Sequence, residues 1–405
     1  MSDQRELEMT TFQDLVAPMD VTTFMSEVYG RRPVHLSGAE TMRPHRRDLM
    51  DWAGFGALLQ LRSHWVEPNL KLVMDGRPVL SEHYCDTVDT LAGPTRRASI
   101  EKVQVFMGLG ASVVANQAQE VSPALADVCD ALSEQFLAST ETNIYCSYGG
   151  VQAFGTHYDL HEVFAVQVEG RKRWRLYANR AETPLTPPAF TDAAQVQLNA
   201  ERGALLFEAE MVPGDVLYIP RGWYHDALAT SDASLHLTFS VTPMNGRRLM
   251  QLLETAALRD ASLRGDLPDH RIEEGEPLNA AINAFADRLA TLMRSPGFAV
   301  EVAAEQRRRY SPKRKIDLPT PKRPRFYRTT ERPARVVRHP GGTRLETGAG
   351  SATVGLMTEV AEWIISRPAF SIEEVAARYP QFRMDEIDPL VAAMVELKLA
   401  KAHEE

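Results

Sequence analysis

The feature that most constrains the fold of this chain is a strand-rich stretch over residues 143–242. Short apolar runs alternate there with Gly and Pro, a pattern typical of antiparallel strands joined by tight turns. Residues 234–241 alternate strictly, with Leu, Phe and Val on one face and Ser, His and Thr on the other. The pattern predicts an all-β core, built as a barrel or as a sandwich.

The polar face of residues 234–241 has two alternative environments. In an open antiparallel sheet it would meet water, whereas in a small barrel it would line a polar ligand cavity. In the second case the hydroxyls of Thr238 and Ser240 are candidates to hold a carboxylate of a bound ligand. Asn143 and Tyr145, on the strand that begins the stretch, are candidates to add hydrogen bonds.

A candidate metal site lies in the same stretch. His157 and Asp159 are spaced i, i+2, and such residues point to the same side of a strand. An H-x-D triplet alone is weak evidence, because strand histidines are more often structural than ligating. His225 adds weight, since it ends a segment (residues 214–225) with the pattern of a turn, a buried strand and a tight loop. Two imidazoles and one carboxylate on one face are the layout of non-haem iron oxygenases.

Lys172 follows the H-x-D triplet in what is predicted to be a β-hairpin, with Glu169-Gly170 as its turn. A two-residue turn would put Gln167 opposite Lys172, on a mostly apolar face. A Lys that points into such a cavity needs an anionic partner, because burying an unpaired ammonium is costly. The alternative is a solvent-facing side chain within a basic run, and the spacing leaves both open.

The composition is that of a globular protein, with 24% charged and 44% apolar residues over 405 positions. The length allows two or three domains. A net charge of −9 gives no global indication of nucleic-acid binding. Three cysteines without metal-ligand spacing favour a reducing compartment, and no apolar run approaches membrane-spanning length. We therefore expect a cytoplasmic protein without a membrane partner.

Beyond the strand-rich stretch the pattern changes. Residues 247–258 and 277–292 have helical periodicity, so that residues 244–306 are predicted to be a helical region. It would serve as a dimer interface or pack onto the β core. Residues 307–340 are rich in Lys, Arg and Pro, which predicts a basic linker. Such a basic run is able to contact RNA or a ribosome, but it more often forms a solvated arm or pairs with the acidic surface of the same protein.

The last segment, residues 341–405, contains three short helical patterns with flanking strands, which predicts a winged-helix-like domain. The third helix would read DNA in such a fold. Here it is acidic and apolar, starting at Asp385, and such a face repels phosphate. We therefore expect a structural or protein-interaction role and no direct DNA binding.

Five motifs together resemble the JmjC-domain ribosomal oxygenases, which are Fe(II)- and 2-oxoglutarate-dependent protein hydroxylases with a cupin fold. The resemblance implies an α+β chain. A JmjC/cupin double-stranded β-helix barrel with an N-terminal α/β extension would occupy residues 1–243, followed by a helical dimerisation region and the winged-helix-like domain. The motifs are residues 143–145, 152–159, 166–175, 214–225 and 234–240.

The resemblance also implies roles for individual residues. His157, Asp159 and His225 would bind Fe(II), and O₂ would be the second co-substrate. Lys172 would pair with the distal carboxylate of 2-oxoglutarate, with Asn143 and Ser240 as further pocket residues. Tyr145 and Thr238 complete our set of candidate co-substrate residues.

The implied reaction is hydroxylation of a His or Arg side chain on a ribosomal protein by a homodimeric enzyme. Two departures from the family pattern leave the target open. Residues 146–150 (Cys-Ser-Tyr-Gly-Gly) replace a Pro-containing turn, and His161 has no assigned role. Both segments are expected at the mouth of the barrel. Hydroxylation of a biosynthetic peptide or a small molecule is the alternative with the same chemistry, and a non-catalytic RNA- or ribosome-binding protein is the alternative from another class.

Overall fold

The protein is described by a computed structural model over residues 12–38, 43–74, 76–148, 154–309 and 326–402. The chain divides into two compact units, each with a hydrophobic core of its own. No helix in these described segments is both long enough and apolar enough to cross a bilayer.

The first unit, Met1–Lys313, is built on antiparallel strands. They are β1 (Val34–Leu36), β2 (Leu70–Met74), β3 (Arg77–Pro78), β4 (Cys85–Thr90), β5 (Gly93–Ala98), β6 (Ser112–Ala115), β7 (Ser139–Tyr148), β8 (Glu162–Arg180), β9 (Leu205–Met211), β10 (Val216–Ile219) and β11 (Trp223–Thr242). Among the described residues, a nine-stranded sheet has the order β1-β10-β8-β11-β7-β6-β2-β3 with β9 paired to β8, while β4 and β5 form a separate hairpin.

Helices flank this sheet and continue after it. They are α1 (Phe12–Val16), α2 (Val21–Thr23), α3 (Arg43–Arg47), α4 (Trp52–Leu59), α5 (Ile100–Gly108), α6 (Pro123–Phe136), α7 (Asp192–Glu201), α8 (Gly246–Ala257), α9 (Glu276–Arg294) and α10 (Pro296–Arg309). Helices α8 and α9 confirm the helical periodicity of residues 247–258 and 277–292. Helix α8 begins where the Asn245 side chain accepts a hydrogen bond from the Arg248 N–H, a standard N-terminal cap.

The two long strands β8 and β11 carry side chains of different character on their two faces. One face, which includes Phe164, Leu235 and Phe239, packs into the main core together with residues of α6 such as Leu125. The other face carries Lys172, His236 and Thr238, and these side chains are also buried. Of the two environments considered for the polar face of residues 234–241, the structure therefore has the enclosed one.

The structure corrects the predicted hairpin at Glu169-Gly170. Residues 162–180 form the single strand β8, which pairs with β11 along its length. Gly170 has φ +67° and lies at an irregularity in this pairing, where a Cβ atom would come 1.9 Å from the Ala233 carbonyl oxygen. This glycine lets two strands approach at a bulge, and a bulge glycine has the same local signature as a turn glycine.

We expect Gly170→Ala to lower the free energy of unfolding by at least about 2 kcal/mol, because a positive φ is unfavourable for Ala and the methyl group would overlap the neighbouring backbone. Denaturant unfolding measures this. The matched control is Gly56→Ala, in the interior of α4, where no atom lies within 4 Å of the added Cβ. That change should raise stability by about 0.5–1 kcal/mol. Equal stability of the two variants would contradict the bulge assignment.

The second unit, Arg314–Glu405, has two three-stranded antiparallel sheets in its described part. Their orders are β16-β12-β17 and β13-β14-β15, and the apolar faces of three helices pack with them into one core. The elements are β12 (Phe326–Thr329), β13 (Ala334–His339), β14 (Gly342–Thr347), β15 (Gly350–Val354), α11 (Thr358–Ile365), β16 (Ala369–Ser371), α12 (Ile372–Arg378), α13 (Met384–Glu396) and β17 (Ala400–Ala402).

The predicted basic linker over residues 307–340 differs from the structure at both ends. Residues 307–309 form the last turn of α10, and strands β12 and β13 occupy most of residues 326–339. Residues 310–325 lie outside the described part of the chain. Charge and Pro content predicted a linker, but Tyr327 packs into the core of the second unit. Ala334 and Val336 of β13 pack against the same core, so both strands belong to the folded unit.

Candidate active site

The three candidate metal ligands meet where the loop before β8 pairs with β11. His157 and His225 form an isolated antiparallel bridge, in which the His157 N–H donates to the His225 carbonyl (3.0 Å) and the His225 N–H donates to the His157 carbonyl (2.9 Å). The Asp159 carboxylate lies 3.5 Å from His225 Nε2. One ligand atom from each of the three residues lies within 4.8 Å of the others, close enough to bind one ion.

Both imidazoles are oriented by backbone carbonyls. His157 Nδ1 lies 2.9 Å from the Gly155 oxygen, and His225 Nδ1 lies 2.9 Å from the Trp223 oxygen. A carbonyl only accepts, so each Nδ1 carries the proton and each Nε2 keeps its lone pair. This arrangement is the usual one for metal-binding histidines.

The ionisation states of these residues also suit a divalent metal. Burial lowers the pKa of His225 to about 4, so that its ring is neutral at physiological pH. Burial raises the pKa of Asp159, but the neighbouring His161, His157 and His225 outweigh this effect and the pKa is lowered. Two imidazoles and one carboxylate fit Fe(II) with positions left open.

A buried network lies behind the ligands. Asp226 follows His225 directly, so its side chain points to the opposite face of β11. The Asp226 carboxylate accepts hydrogen bonds from Tyr177 Oη (2.6 Å), Arg175 Nε (2.8 Å) and Thr156 Oγ1 (3.2 Å). Because Thr156 precedes His157 in the chain, this carboxylate joins the two segments that carry the imidazoles.

We expect Asp226→Asn to weaken metal binding by about 10- to 100-fold, the range seen when groups that orient metal ligands are changed. The neutral amide cannot pair with Arg175 as a carboxylate does, so the two ligand segments lose part of their connection. Isothermal titration with Co(II) measures the affinity. Asp232→Asn, at an exposed position of the same strand, is the control and should bind metal as the unchanged protein does. Unchanged affinity in Asp226→Asn would contradict this role.

A cavity of about 130 Å³ opens beside the three ligands. It is several times larger than the space that one water molecule needs, and it therefore suits a small ligand. Besides the three ligands, it is lined by Tyr145, Phe154, Val163, Lys172, Trp174, Phe190, Ala227, His236 and Thr238.

Lys172 points into this cavity, and its side chain is only 3% exposed. Burial lowers the pKa of its ammonium to about 8. The His236 Nδ1 atom lies 3.4 Å from Lys172 Nζ, and no carboxylate among the described residues forms an ion pair with this ammonium. Of the two orientations that the spacing left open, the structure has the inward one.

The other candidate co-substrate residues fall into two groups. Tyr145 and Thr238 line the cavity, whereas Asn143 and Ser240 are not among its described lining residues. Asn143 lies opposite Thr238 in the pairing of β7 with β11. The side-chain oxygen of Asn143 is buried and has no hydrogen-bond partner among the described residues.

Six lining residues were not identified as site residues from the sequence, namely Phe154, Val163, Trp174, Phe190, Ala227 and His236. His236 and Trp174 lie two residues from Thr238 and Lys172 on the same strands, so the alternation contains a signal for them. Phe154 and Phe190 come from loops and have no such signal. Their rings lie 5.5 Å apart, and Phe190 is 46% exposed, so this aromatic pair lies at the opening of the cavity.

The two segments expected at the mouth of the barrel, residues 146–150 and His161, lie in different environments. Cys146 is fully buried in the main core, on the apolar side of β7. Gly149 and Gly150 lie outside the described residues. His161 is half-buried, and its Nδ1 lies 3.3 Å from the Glu162 carbonyl oxygen.

Comparison with known proteins identifies a domain family that matches this part of the chain. The family model of the JmjC domain matches residues 115–249. This range includes the three candidate ligands and every residue that lines the cavity. This part of the chain is similar to a JmjC domain. The matched range extends from the end of β6 into α8, so that α9, α10 and the second unit lie outside it.

Curated relatives match part of this chain. The bifunctional lysine-specific demethylase and histidyl-hydroxylase NO66 of Drosophila mojavensis is 35% identical over 184 residues, which is 44% of this chain and 20% of that protein. Ribosomal oxygenase 1 of Gallus gallus is 28% identical over 306 residues, which is 73% of this chain and 49% of that protein. The chain thus spans at most about half the length of these two relatives.

Solved structures with similarity to this chain include the Escherichia coli ribosomal oxygenase YcfD. It is 17% identical with a TM-score of 0.48, over 95% of this chain and 98% of that one. A YcfD structure in complex with cobalt and 2-oxoglutarate is also 17% identical, with a TM-score of 0.49 over 96% and 99% of the two chains.

Proposed function

We propose that this protein is an Fe(II)- and 2-oxoglutarate-dependent oxygenase that hydroxylates a His or Arg side chain of a ribosomal protein. One observation carries the proposal. Two histidines and an aspartate with ligand atoms within 4.8 Å of one another adjoin a cavity that holds the buried Lys172 ammonium. A metal and a small anionic ligand are the two partners that such a site needs.

Each group has a part in this chemistry. A bound Fe(II) would supply the chemistry that couples oxidation of 2-oxoglutarate by O₂, which yields succinate and CO₂, to hydroxylation of a C–H bond of the target. His157, Asp159 and His225 would hold the metal. Lys172 binds the distal carboxylate of the co-substrate, and the hydroxyls of Tyr145 and Thr238 add hydrogen bonds. Phe154 and Phe190 exclude water at the opening and offer flat apolar surfaces to the target side chain.

The choice of a ribosomal target has its own support. The names of two relatives, a histidyl-hydroxylase and a ribosomal oxygenase, indicate such substrates for those proteins. The aromatic pair at the opening suits a planar side chain such as imidazole or guanidinium, since planar groups stack on aromatic rings.

The test of this proposal has two stages. Purified protein is incubated with Fe(II), O₂, 2-oxoglutarate and ribosomal proteins from a strain that lacks the gene, and succinate is measured together with His157→Ala as the inactive control. Mass spectrometry then searches for ribosomal peptides that gain the mass of one oxygen atom. Absence of succinate in every condition would contradict the chemistry. Succinate without a modified ribosomal peptide would contradict the target.

The proposal extends to architecture. The nine-stranded sheet is proposed to form a JmjC/cupin double-stranded β-helix barrel, with α8–α10 as a dimerisation region. In support, the described residues of α9 include no fully buried side chain, and Ile282 and Phe285 are 50% and 40% exposed. A second copy would cover these apolar groups. Light scattering of the full chain should give the mass of a dimer, and Phe285→Arg should give a monomer.

The second unit is proposed to be a winged-helix-like domain that contacts protein. Its third helix, α13, has Asp385 and Glu386 in its first turn, and these charges repel phosphate. We place the enzyme in the cytoplasm, as its cysteine usage indicates.

A further inference from the structure

His236 is a buried imidazole in the wall of the cavity, and three neighbours determine its position. Its side chain stacks on the Tyr145 ring, with centroids 4.7 Å apart and an angle of 10° between the planes. The Trp174 ring contacts it edge-on at 5.4 Å. The third neighbour is Lys172, whose Nζ lies 3.4 Å from His236 Nδ1. The ring is thus held between aromatic groups with one nitrogen directed at the ammonium.

The contact with Lys172 defines the protonation state of this ring. An ammonium has only donors, so Lys172 donates and His236 Nδ1 accepts. The imidazole is therefore neutral and carries its proton on Nε2. Burial lowers the pKa of His236 well below its usual range, and the charge of Lys172 lowers it further. His236 is consequently a permanent acceptor beside a buried cation, not a competing charge.

We propose that His236 is a positioning residue that holds the Lys172 ammonium in place for the distal carboxylate of the co-substrate, and so makes the site selective for a 2-oxo dicarboxylic acid over a 2-oxo monocarboxylic acid. This inference rests on the proposed function.

The physical reason is preorganisation. A Lys side chain has four rotatable bonds, and its ammonium gains nothing from the apolar groups that line most of this cavity. Among the described residues, His236 is the hydrogen-bond partner of that ammonium. With the acceptor in place, Lys172 is held before the ligand arrives, so the carboxylate binds without the cost of ordering the side chain.

A purely structural role predicts a different dependence on side-chain chemistry. If His236 only packs between Tyr145 and Trp174, then Phe is a good replacement and Asn is a poor one. If His236 acts through its acceptor, then Asn, whose side-chain oxygen replaces Nδ1, is the better replacement. The variants His236→Phe and His236→Asn therefore distinguish the contribution of the aromatic ring from that of the hydrogen-bond acceptor.

The experiment measures dissociation constants by anaerobic titration of the Fe(II)-loaded full chain with two ligands. One is 2-oxoglutarate, and the other is 2-oxobutyrate, which lacks the distal carboxylate. We expect His236→Phe to lose about tenfold or more in affinity for 2-oxoglutarate, the effect of one hydrogen bond to a charged group, with unchanged affinity for 2-oxobutyrate. His236→Asn should keep most of the preference. Circular dichroism confirms that each variant is folded.

The outcomes separate this inference from the proposed function. If a folded His236→Phe variant keeps the full preference for 2-oxoglutarate over 2-oxobutyrate, the proposed role of His236 is wrong, while the proposed function of the protein is unaffected. Loss of affinity for both ligands to the same extent also overturns it, because a general distortion would cause that result. If His236→Phe does not fold, lost preference in His236→Asn overturns the inference and retained preference supports it. If the unchanged protein binds neither ligand, the result contradicts the proposed function and, with it, this inference.

Discussion

His225→Ala is expected to abolish metal binding at the site, with an affinity for Fe(II) or Co(II) at least about 100-fold lower and no succinate formed from 2-oxoglutarate. Loss of a direct ligand should cost more than loss of a group that only orients one, for which 10- to 100-fold is usual. The fold should survive, because the bridge between His225 and His157 is made by backbone atoms. Anaerobic titration calorimetry measures the affinity, and circular dichroism reports on the fold.

His161→Ala is the matched control for this prediction. His161 is near Asp159 but does not belong to the described cluster of three ligands. Its removal should leave metal affinity within about threefold of the unchanged protein. Normal metal binding by His225→Ala, or equal losses in both variants, would show that the metal is held elsewhere.

Lys172→Met is expected to stabilise the protein while it removes the affinity for 2-oxoglutarate. Burial lowers the pKa of Lys172 from 10.5 to about 8, which means that the folded state binds this proton less strongly than the unfolded state does. The resulting loss of folding stability is fully present below pH 8. It amounts to about 3 kcal/mol on the scale of 1.4 kcal/mol for each pH unit. Met has a similar length and no charge, so we expect about 2–3 kcal/mol of added stability at pH 7.

The sign of the pH dependence provides a second check. Between pH 8 and 10.5 the unfolded chain holds a proton that the folded protein has released, so the stability of the unchanged protein rises with pH in this window. Lys172→Met should lack that rise. Denaturant unfolding at pH 7, 8, 9 and 10 measures both effects. Lys71→Met, at an exposed position of β2, is the control and should change stability by no more than about 0.5 kcal/mol. A destabilised Lys172→Met would contradict a buried ammonium that has no ion-pair partner among the described residues.

The local geometry of the metal site was predictable because it depends on short-range rules. The i, i+2 spacing predicted that His157 and Asp159 lie close together, although the structure has them in the loop before β8 and not in a strand. The turn and strand before His225 predicted its place at a strand end, and it lies near the beginning of β11. Strict alternation in residues 234–241 likewise separated Thr238 and Ser240 from the apolar face. The helices α8 and α9 were predictable for the same reason, since their periodicity is local.

The errors arose where a local signal has two structural causes. Gly170 was assigned to a hairpin turn, although it lies at a bulge in one continuous strand. The basic strands β12 and β13 were assigned to a linker because the charge and Pro content of the segment outweighed the few apolar residues of these strands. In both cases the deciding contact is with a distant segment, Ala233 for Gly170 and the core of the second unit for Tyr327.

By itself, the sequence determined which side chains share a face of a strand, and it indicated His157, Asp159 and His225 as candidate ligands. The tertiary structure brings the ligand atoms of these three residues within 4.8 Å of one another. Only the tertiary structure decided that the polar face is enclosed as well as the apolar one. The inward orientation of Lys172, its contact with His236 and the position of Phe190 at the opening all depend on segments that are far apart in the chain. Alternation along a strand specifies two faces but does not say which one is covered, because that depends on what packs against each face.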